Sequence, residues 1–473
     1  FVSLDGEFAF KKANGNFLLN DGTALTAVPY LSVGGNITTA TVAAGGVSLV
    51  LTGVEFGMVL VSNGATSYSA IKAKVTNASL NGIAGLGITV TDFYLSVNKT
   101  SSVTIGAPVL DFDAGGTQAG SAFSVTTGST TPPVSLDFDG DEGSLLEVGG
   151  SIILDVFGFV TLDGSFNFKK ASGDFVLTNA STHTSTTLTN VPYIAIGGHI
   201  NSAYAGVGGI GFTLTDVSVG AVMVSTGGAT PVNYMVLKAT AASATFGGIT
   251  GLTAEIRDLS VVVNKTSSTT ALTTVLDFKD TTSNTTDNTA TTRSITTGPT
   301  SPSVDLDVDG DDGALLQVMT DLTLDVFGFV VLDGSFAFKK ATGDFVLTNG
   351  TTHVSTALNG VNYLEVGGHV NTAFAGVGGI GFELHDVSFA AVMVSSTGPT
   401  PVSYMALKAG AGSADLVGIA GLTAGIRNLS VVVNKTSSTI APNTVLDFSN
   451  TASNTTDNAA ASRTIATGPS SPA

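Results

Sequence analysis

The chain contains no cysteine and no tryptophan, and only six methionines in 473 residues. Without cysteine, no disulfide framework holds it together. Charge is also scarce. Only 11% of residues are charged, and the balance is acidic, with a formal net charge of −18 and a pI near 4.4. That balance excludes a nucleic-acid partner, which needs a basic face. Long apolar runs are missing too. Val207–Val224 comes nearest to a membrane helix, but glycine, threonine, serine and Asp216 interrupt it. Helical periodicity is nowhere persuasive. The mean hydropathy is nonetheless +0.39, so the chain buries much of itself or lays one surface against another copy.

What is present is repetition. Phe159–Asn179 reads FVTLDGSFNFKKASGDFVLTN, and Phe329–Asn349, 170 residues later, reads FVVLDGSFAFKKATGDFVLTN. Phe1–Asn20 is a third version, in a shorter copy whose length differences fall in Ser/Thr/Gly-rich stretches. The chain opens in mid-repeat and stops where the next acidic motif is expected, as a window cut from a longer polypeptide would. Repetition on this scale marks an array, with copies expected at 1–133 (partial), 134–301 and 302–473.

Within each copy the apolar residues alternate, which predicts strands. From Leu316 to Phe338, Leu316, Val318, Leu322, Leu324, Val326, Val330, Leu332, Phe336 and Phe338 share one parity, while Asp321, Thr323, Asp325, Asp333 and Ser335 share the other. Gly328 and Gly334 are expected to mark bends or bulges in this long segment, and Phe327, Phe329 and Val331 suggest cover on both faces. Residues 341–344 read as a hairpin turn. The parity also switches at recurrent places: Leu51 to Val54, Leu214 to Val217, Ile256 to Leu259, Leu384 to Val387 and Ile426 to Leu429. Such a switch predicts a bulge that re-aims the strand. The fold expected is all-β: an elongated tandem array of sandwich-like or solenoid-like repeats, each with about three related β units.

The sharpest chemical signal is acidic. Asp305, Asp307, Asp309, Asp311 and Asp312 form a DLDVDGDDG run, with Asp137, Asp139, Asp141 and Glu142 as its counterpart. Clustered carboxylates repel one another unless a cation sits among them, and hard oxygen ligands at this spacing suit Ca²⁺. The EF-hand match is partial, because the twelfth position is Leu316 where a bidentate glutamate belongs. The alternative is an acidic turn without an ion. Asp111 and Asp113 form a weaker pair, since Lys279 and Ser449 replace the second acid in the other copies. The histidines 183, 199, 353, 369 and 385 read as exposed strand or loop residues, because Asn36 and Thr215 stand in for them between copies. The lysine pairs 11–12, 169–170 and 339–340 read as solvated guards against edge pairing. The Gly-Gly pairs at 197, 208, 367 and 378 lack a phosphate-loop context and suit tight turns or close backbone approach. Sequons occur at Asn98, Asn264 and Asn434 and matter only on a glycosylating route. No nucleophile, base and orienting group recur together, so an enzyme is not expected.

Gly/Thr/Val-rich copies without cysteine, joined by D-x-D-x-D-G seams, resemble the tandem-repeat regions of giant bacterial surface proteins, with RTX-type, calcium-associated adhesins the nearest group. The resemblance implies an extracellular or cell-surface stalk, filament or surface layer, stiffened by Ca²⁺ at its junctions and assembled from copies of itself. A glycan- or surface-binding adhesin module is the alternative. A third reading is an outer-membrane β-barrel, favoured by alternation, glycine content and acidity, and disfavoured by the regular period and the absence of aromatic girdles.

Overall fold

The computed structural model describes residues 2–44, 46–104, 106–113, 120–227, 230–280, 290–396, 400–449 and 460–469. Most of the two low-complexity loops after Asp277 and Asp447 lies outside the described residues. No α-helix occurs among those described. The first copy supplies β1 (Val2–Leu19), β2 (Ala24–Ala44), β3 (Val47–Asn63), β4 (Thr66–Asn81) and β5 (Leu86–Thr100), then short β6 (Leu110–Asp111), β7 (Phe123–Val125), β8 (Val134–Leu136) and a 3₁₀ turn, η1 (Gly140–Glu142). The second supplies β9 (Leu145–Val156), β10 (Val160–Asn179), β11 (Thr184–Val207), β12 (Ile210–Ser225), β13 (Asn233–Gly247) and β14 (Leu252–Thr266), then short β15 (Thr274–Asp277), β16 (Arg293–Ile295), β17 (Val304–Leu306) and η2 (Gly310–Asp312). The third supplies β18 (Leu315–Val326), β19 (Val330–Asn349), β20 (Ser355–Val377), β21 (Ile380–Ser395), β22 (Ser403–Val417), β23 (Ala424–Thr436) and short β24 (Thr444–Asp447).

The long strands form one antiparallel meander within a 20-stranded sheet. The sheet runs straight through both seams, because β5 pairs with β9 and β14 with β18. The copies are therefore neither beads nor a solenoid. The expected boundaries at 133/134 and 301/302 fall inside the hairpins β7–β8 and β16–β17. β1 and β23 are the outer long strands, and no ladder joins them among the described residues.

Each sheet end has its own character. At the turn end, hairpins close tightly. Phe157 and Gly158 take φ of 52° and 68°, and Gly208 and Gly209 take 62° and 84°, the left-handed region that such reversals need. The Phe157 N–H donates to the Gly85 carbonyl, tying one turn to its neighbour, and Phe327 does the same with Gly251. At the opposite, core end, the short strands fold back over one face of the sheet. Phe175, Tyr193, Val222, Val224, Val236, Leu276, Ile295 and Leu306 are buried there. Here Gly197 allows close approach, since an added Cβ would lie 1.9 Å from the Thr296 carbonyl oxygen. β15 pairs with the end of β10, yet the Asn264 Nδ2 of β14, four strands away, donates to the Leu276 carbonyl in β15 at 2.8 Å. The end of β10 and β15 therefore fold back across the core face as far as β14.

Several local expectations need correction. Gly328 is a hairpin apex (φ 71°) that separates two strands rather than bending one, whereas Gly334 stands, as expected, at a bulge, beside the register shift that follows Asp333. Phe327 and Phe329 are half-exposed rather than covered on both sides. Residues 341–344 do not turn. β19 continues through them with a register shift beside Asp344, whose carboxylate accepts the Gly360 N–H at 2.6 Å. Turn-forming residue types here serve a bulge.

Candidate membrane-facing surface

The parity switches turn out to preserve a face rather than re-aim it. β19 has no extra residue in this stretch, and its Leu332 and Gly334 lie two apart on one face. Their partners in β20 are Ala373 and Val370, with Asn371 as the extra residue. Adding one residue and shifting the apolar parity by one cancel, so Leu384 and Val387 of β21 also share that face. The bulge residues Asp92, Asp216, Asp258, Asp386 and Asn428 all have φ near +50°. Asp92, Asp216 and Asp386 point to the opposite face, within 3.8 Å of Lys74, His199 and His369 respectively. His199 is accordingly buried and bonded to Ser218 and Asn201, not an exposed strand histidine.

The result is a continuous apolar surface. One row across seven strands reads Leu86, Val156, Val160, Ala205, Phe212, Phe246 and Ala254. Another reads Ala254, Leu324, Leu332, Ala373, Leu384, Ala414 and Ile426. Immediately beside it, on the other face, the row is Glu255, Thr323, Asp333, Thr372, His385, Ser413 and Arg427. That second row is knitted by polar contacts. Thr323 donates to Asp333 at 3.1 Å, Arg257 to Thr323 at 3.1 Å, and Arg427 pairs with Asp415. Nothing covers the apolar face among the described residues, and Phe382 stays 63% exposed. Exposed apolar area on this scale marks an interaction surface.

The apolar band has two borders. At the turn end sit Phe157, Phe159, Phe327 and Phe329, with Val207, Ile210, Val377 and Ile380 on neighbouring turns, all substantially exposed. Sequence order scatters these phenylalanines, whereas the meander gathers them into a rim. At the core end, register rows run Lys170–Ile194–Met223–Met235–Lys265 and Lys340–Leu364–Met393–Met405–Lys435. Each row lines a cleft, of about 650 Å³ and 700 Å³ respectively. The lysine pairs thus lie within strands and divide their work. Lys169 and Lys339 turn to the core face and bind Glu142 and Asp312, while Lys170 and Lys340 stand on the apolar face.

The acidic seams are drawn apart rather than gathered. Asp137 pairs with Lys72 and Asp307 with Lys238, both at 2.7 Å. Asp305 accepts from Ser294. Asp139 and Asp309 cap η1 and η2, accepting the amides of Asp141 and Asp311 at 2.9 Å. Asp311 meets His183 at 2.9 Å, and Asp312 meets Lys339 at 2.8 Å. Among the described residues, no three carboxylates or histidines converge on a point that would hold an ion. Lysines and backbone amides instead meet most of these acids locally.

The discounted Asp111 motif proves structural. Its buried counterpart Asp277 accepts the Gly310 N–H at 3.0 Å and the Thr178 hydroxyl at 2.6 Å, and Asp447 accepts from Thr348. Presence in all three copies was the available signal. The same holds for Asn98, Asn264 and Asn434, whose side-chain amides each donate to the carbonyl twelve residues on. Asn98 and Asn264 are fully buried, so they serve packing, not glycosylation.

No family model matches the chain, and no curated protein does. Among solved structures, it is similar to the ferric preacinetobactin receptor BauA of Acinetobacter baumannii (9% identity, 92% of this chain and 73% of that one, TM-score 0.24). It is also similar to the siderophore receptor PiuA of that organism (10%, 92% and 75%, TM-score 0.23) and to OccK2 (OpdF) of Pseudomonas aeruginosa (12%, 93% and 95%, TM-score 0.17). TM-scores this low leave the membrane question to the chain's own surface. An unbroken antiparallel meander that runs through both seams is neither a β-roll nor a string of separate repeats. The expected adhesin resemblance, the fibre of self-associating copies and the glycan-binding partner are corrected accordingly.

Proposed function

We propose that the chain forms membrane-embedded wall of the outer-membrane β-barrel type, its apolar face turned to lipid and its polar face to an aqueous interior. The observation that carries this reading is the apolar band itself, in which, among the described residues whose face the ladders fix, no ionisable side chain lies between the turn-end rim and the lysine rows. From Val330 to Lys340 of β19 is ten residues, about 33 Å along a strand and about 23 Å across a bilayer at a tilt of about 45°. That matches the height of the apolar band of outer-membrane barrels. Aromatic turns and snorkelling lysines suit the two interfaces.

The absence of tryptophan provides the test. In otherwise tryptophan-free protein, Leu324→Trp and Thr323→Trp place reporters on opposite faces of one strand. In vesicles of lipid brominated on the acyl chains, fluorescence of the first is quenched and that of the second is not. Equal quenching of both, or quenching of neither, overturns the reading.

A further inference from the structure

We propose that each lysine-flanked row at the core-end border of the apolar face seats anionic phospholipid. The lysines take the headgroup phosphates, and the apolar trio between them takes the upper acyl chains. This deepens the membrane reading and rests on it.

Three observations converge. First, the row repeats: Lys170–Ile194–Met223–Met235–Lys265 recurs as Lys340–Leu364–Met393–Met405–Lys435, and the first copy keeps the lysines as Lys12 and Lys99 in the same register. Second, charge is segregated. The chain is acidic overall, at −18, yet the residues of known orientation on this face are cationic at the border and uncharged above it. Lys72, Lys169, Lys238 and Lys339, on the core face, each hold an acid, whereas Lys170, Lys265, Lys340 and Lys435 are exposed and form no ion pair among the described residues. Third, the clefts between the lysines are floored by methionine, whose flexible thioether adapts to irregular apolar guests. Four strand spacings separate the two lysines of a row, about 19 Å. They are therefore two attachment points with an apolar bed between them, not a chelate for one small anion.

The test uses the whole chain and flotation with vesicles, comparing phosphatidylcholine alone with phosphatidylcholine containing one third phosphatidylglycerol. The parent chain is expected to partition into both, about tenfold more strongly into the anionic vesicles. The K170Q/K265Q/K340Q/K435Q variant keeps its partition into neutral vesicles and loses the enhancement. K72Q/K238Q, on the other face, keeps both. Partition into neutral vesicles without anionic enhancement in the parent, or enhancement undiminished in the quadruple variant, overturns the proposal and leaves the membrane reading standing. Release of the protein from anionic vesicles by inorganic phosphate at matched ionic strength overturns it in favour of a free-anion site. Failure to partition into either vesicle overturns the membrane reading and this proposal with it.

Discussion

Two rows one residue apart in the same strands carry opposite chemistry. The row through Leu324, Leu332 and Leu384 is entirely apolar; the row through Thr323, Asp333 and His385 is entirely polar. Both run the width of the third copy, and neither is covered. Lower in the same strands the polar-side parity changes partner, burying Phe345, Tyr363, Val392 and Val394 with Leu446 of β24 as an ordinary packed core. A single sheet thus meets three environments, and the side-chain period of two keeps them apart. The bulge line makes this possible. It adds one residue in four strands of a copy without letting the apolar set slip to the other face.

The largest expected effect breaks the two-row contrast directly. In vesicles, I152R/L322R places two guanidinium groups near the middle of the apolar band and costs about 6 kcal/mol of stability, measured by urea unfolding in lipid. Thr372→Arg, in the polar row beside Asp333, changes stability by less than about 0.5 kcal/mol. Equal losses from the two would erase the distinction between the faces.

The core end is next in size. Leu306 is fully buried under the sheet, and Leu306→Ala removes its packing and leaves a cavity, costing about 3 kcal/mol with or without lipid. Leu332→Ala, on the apolar face, costs less, and its cost depends on whether lipid or water faces it. Insensitivity of both variants to lipid would argue that the apolar face is buried some other way.

How much of this is visible in the sequence depends on which residues are asked. Alternation gives strands, and the parity switches give the bulges, because both are local consequences of the pleat. Closure of the seams is not local. Nothing near Leu145 or Leu315 announces that β9 and β18 will pair backwards with β5 and β14 and so fuse the copies into one sheet. The acidic seams mislead for a related reason. Their spacing resembles an ion loop, while the neutralising Lys72, Lys169, Lys238 and Lys339 lie tens of residues away in the chain. The apolar face was half legible. Leu322 and Leu324 share a parity on inspection, but that the face is left bare, and that its border is a lysine row, follows only from register between strands.

Asn264 sharpens the core side of the comparison on a smaller scale. Its amide satisfies the Leu276 carbonyl between β14 and β15, and both groups are buried. Asn264→Ala leaves that carbonyl unpaired and costs about 2 kcal/mol. Asn434→Ala, whose site in the third copy is more open, costs less. Chemical denaturation of the two variants orders them, and a larger loss at Asn434 contradicts the burial argument.

The smallest effect concerns the acid that caps η2, outside the apolar band. Burial, reinforced by Asp277, Asp312 and Asp311 nearby, pushes the Asp309 carboxyl up from 3.8 to about 6, against the pull of the Asp311 amide that it accepts. The folded chain therefore holds a proton that the unfolded chain releases, and stability falls as pH rises from about 4 to about 6. Above that window the ionised carboxylate is a constant burden. Asp309→Asn keeps an oxygen for the cap and removes the charge. It is expected to stabilise the chain at pH 7 by about 1 kcal/mol, given the group's partial exposure, with the gain shrinking below pH 6 and gone near pH 4. Melting curves of the variant and its parent across that range read the effect. A gain that persists unchanged at pH 4 would show that removing the charge is not its source. A loss at pH 7 would show that the carboxylate stabilises this turn in its charged form, and would bring the acidic seam closer in character to the polar row above it than to the core beside it.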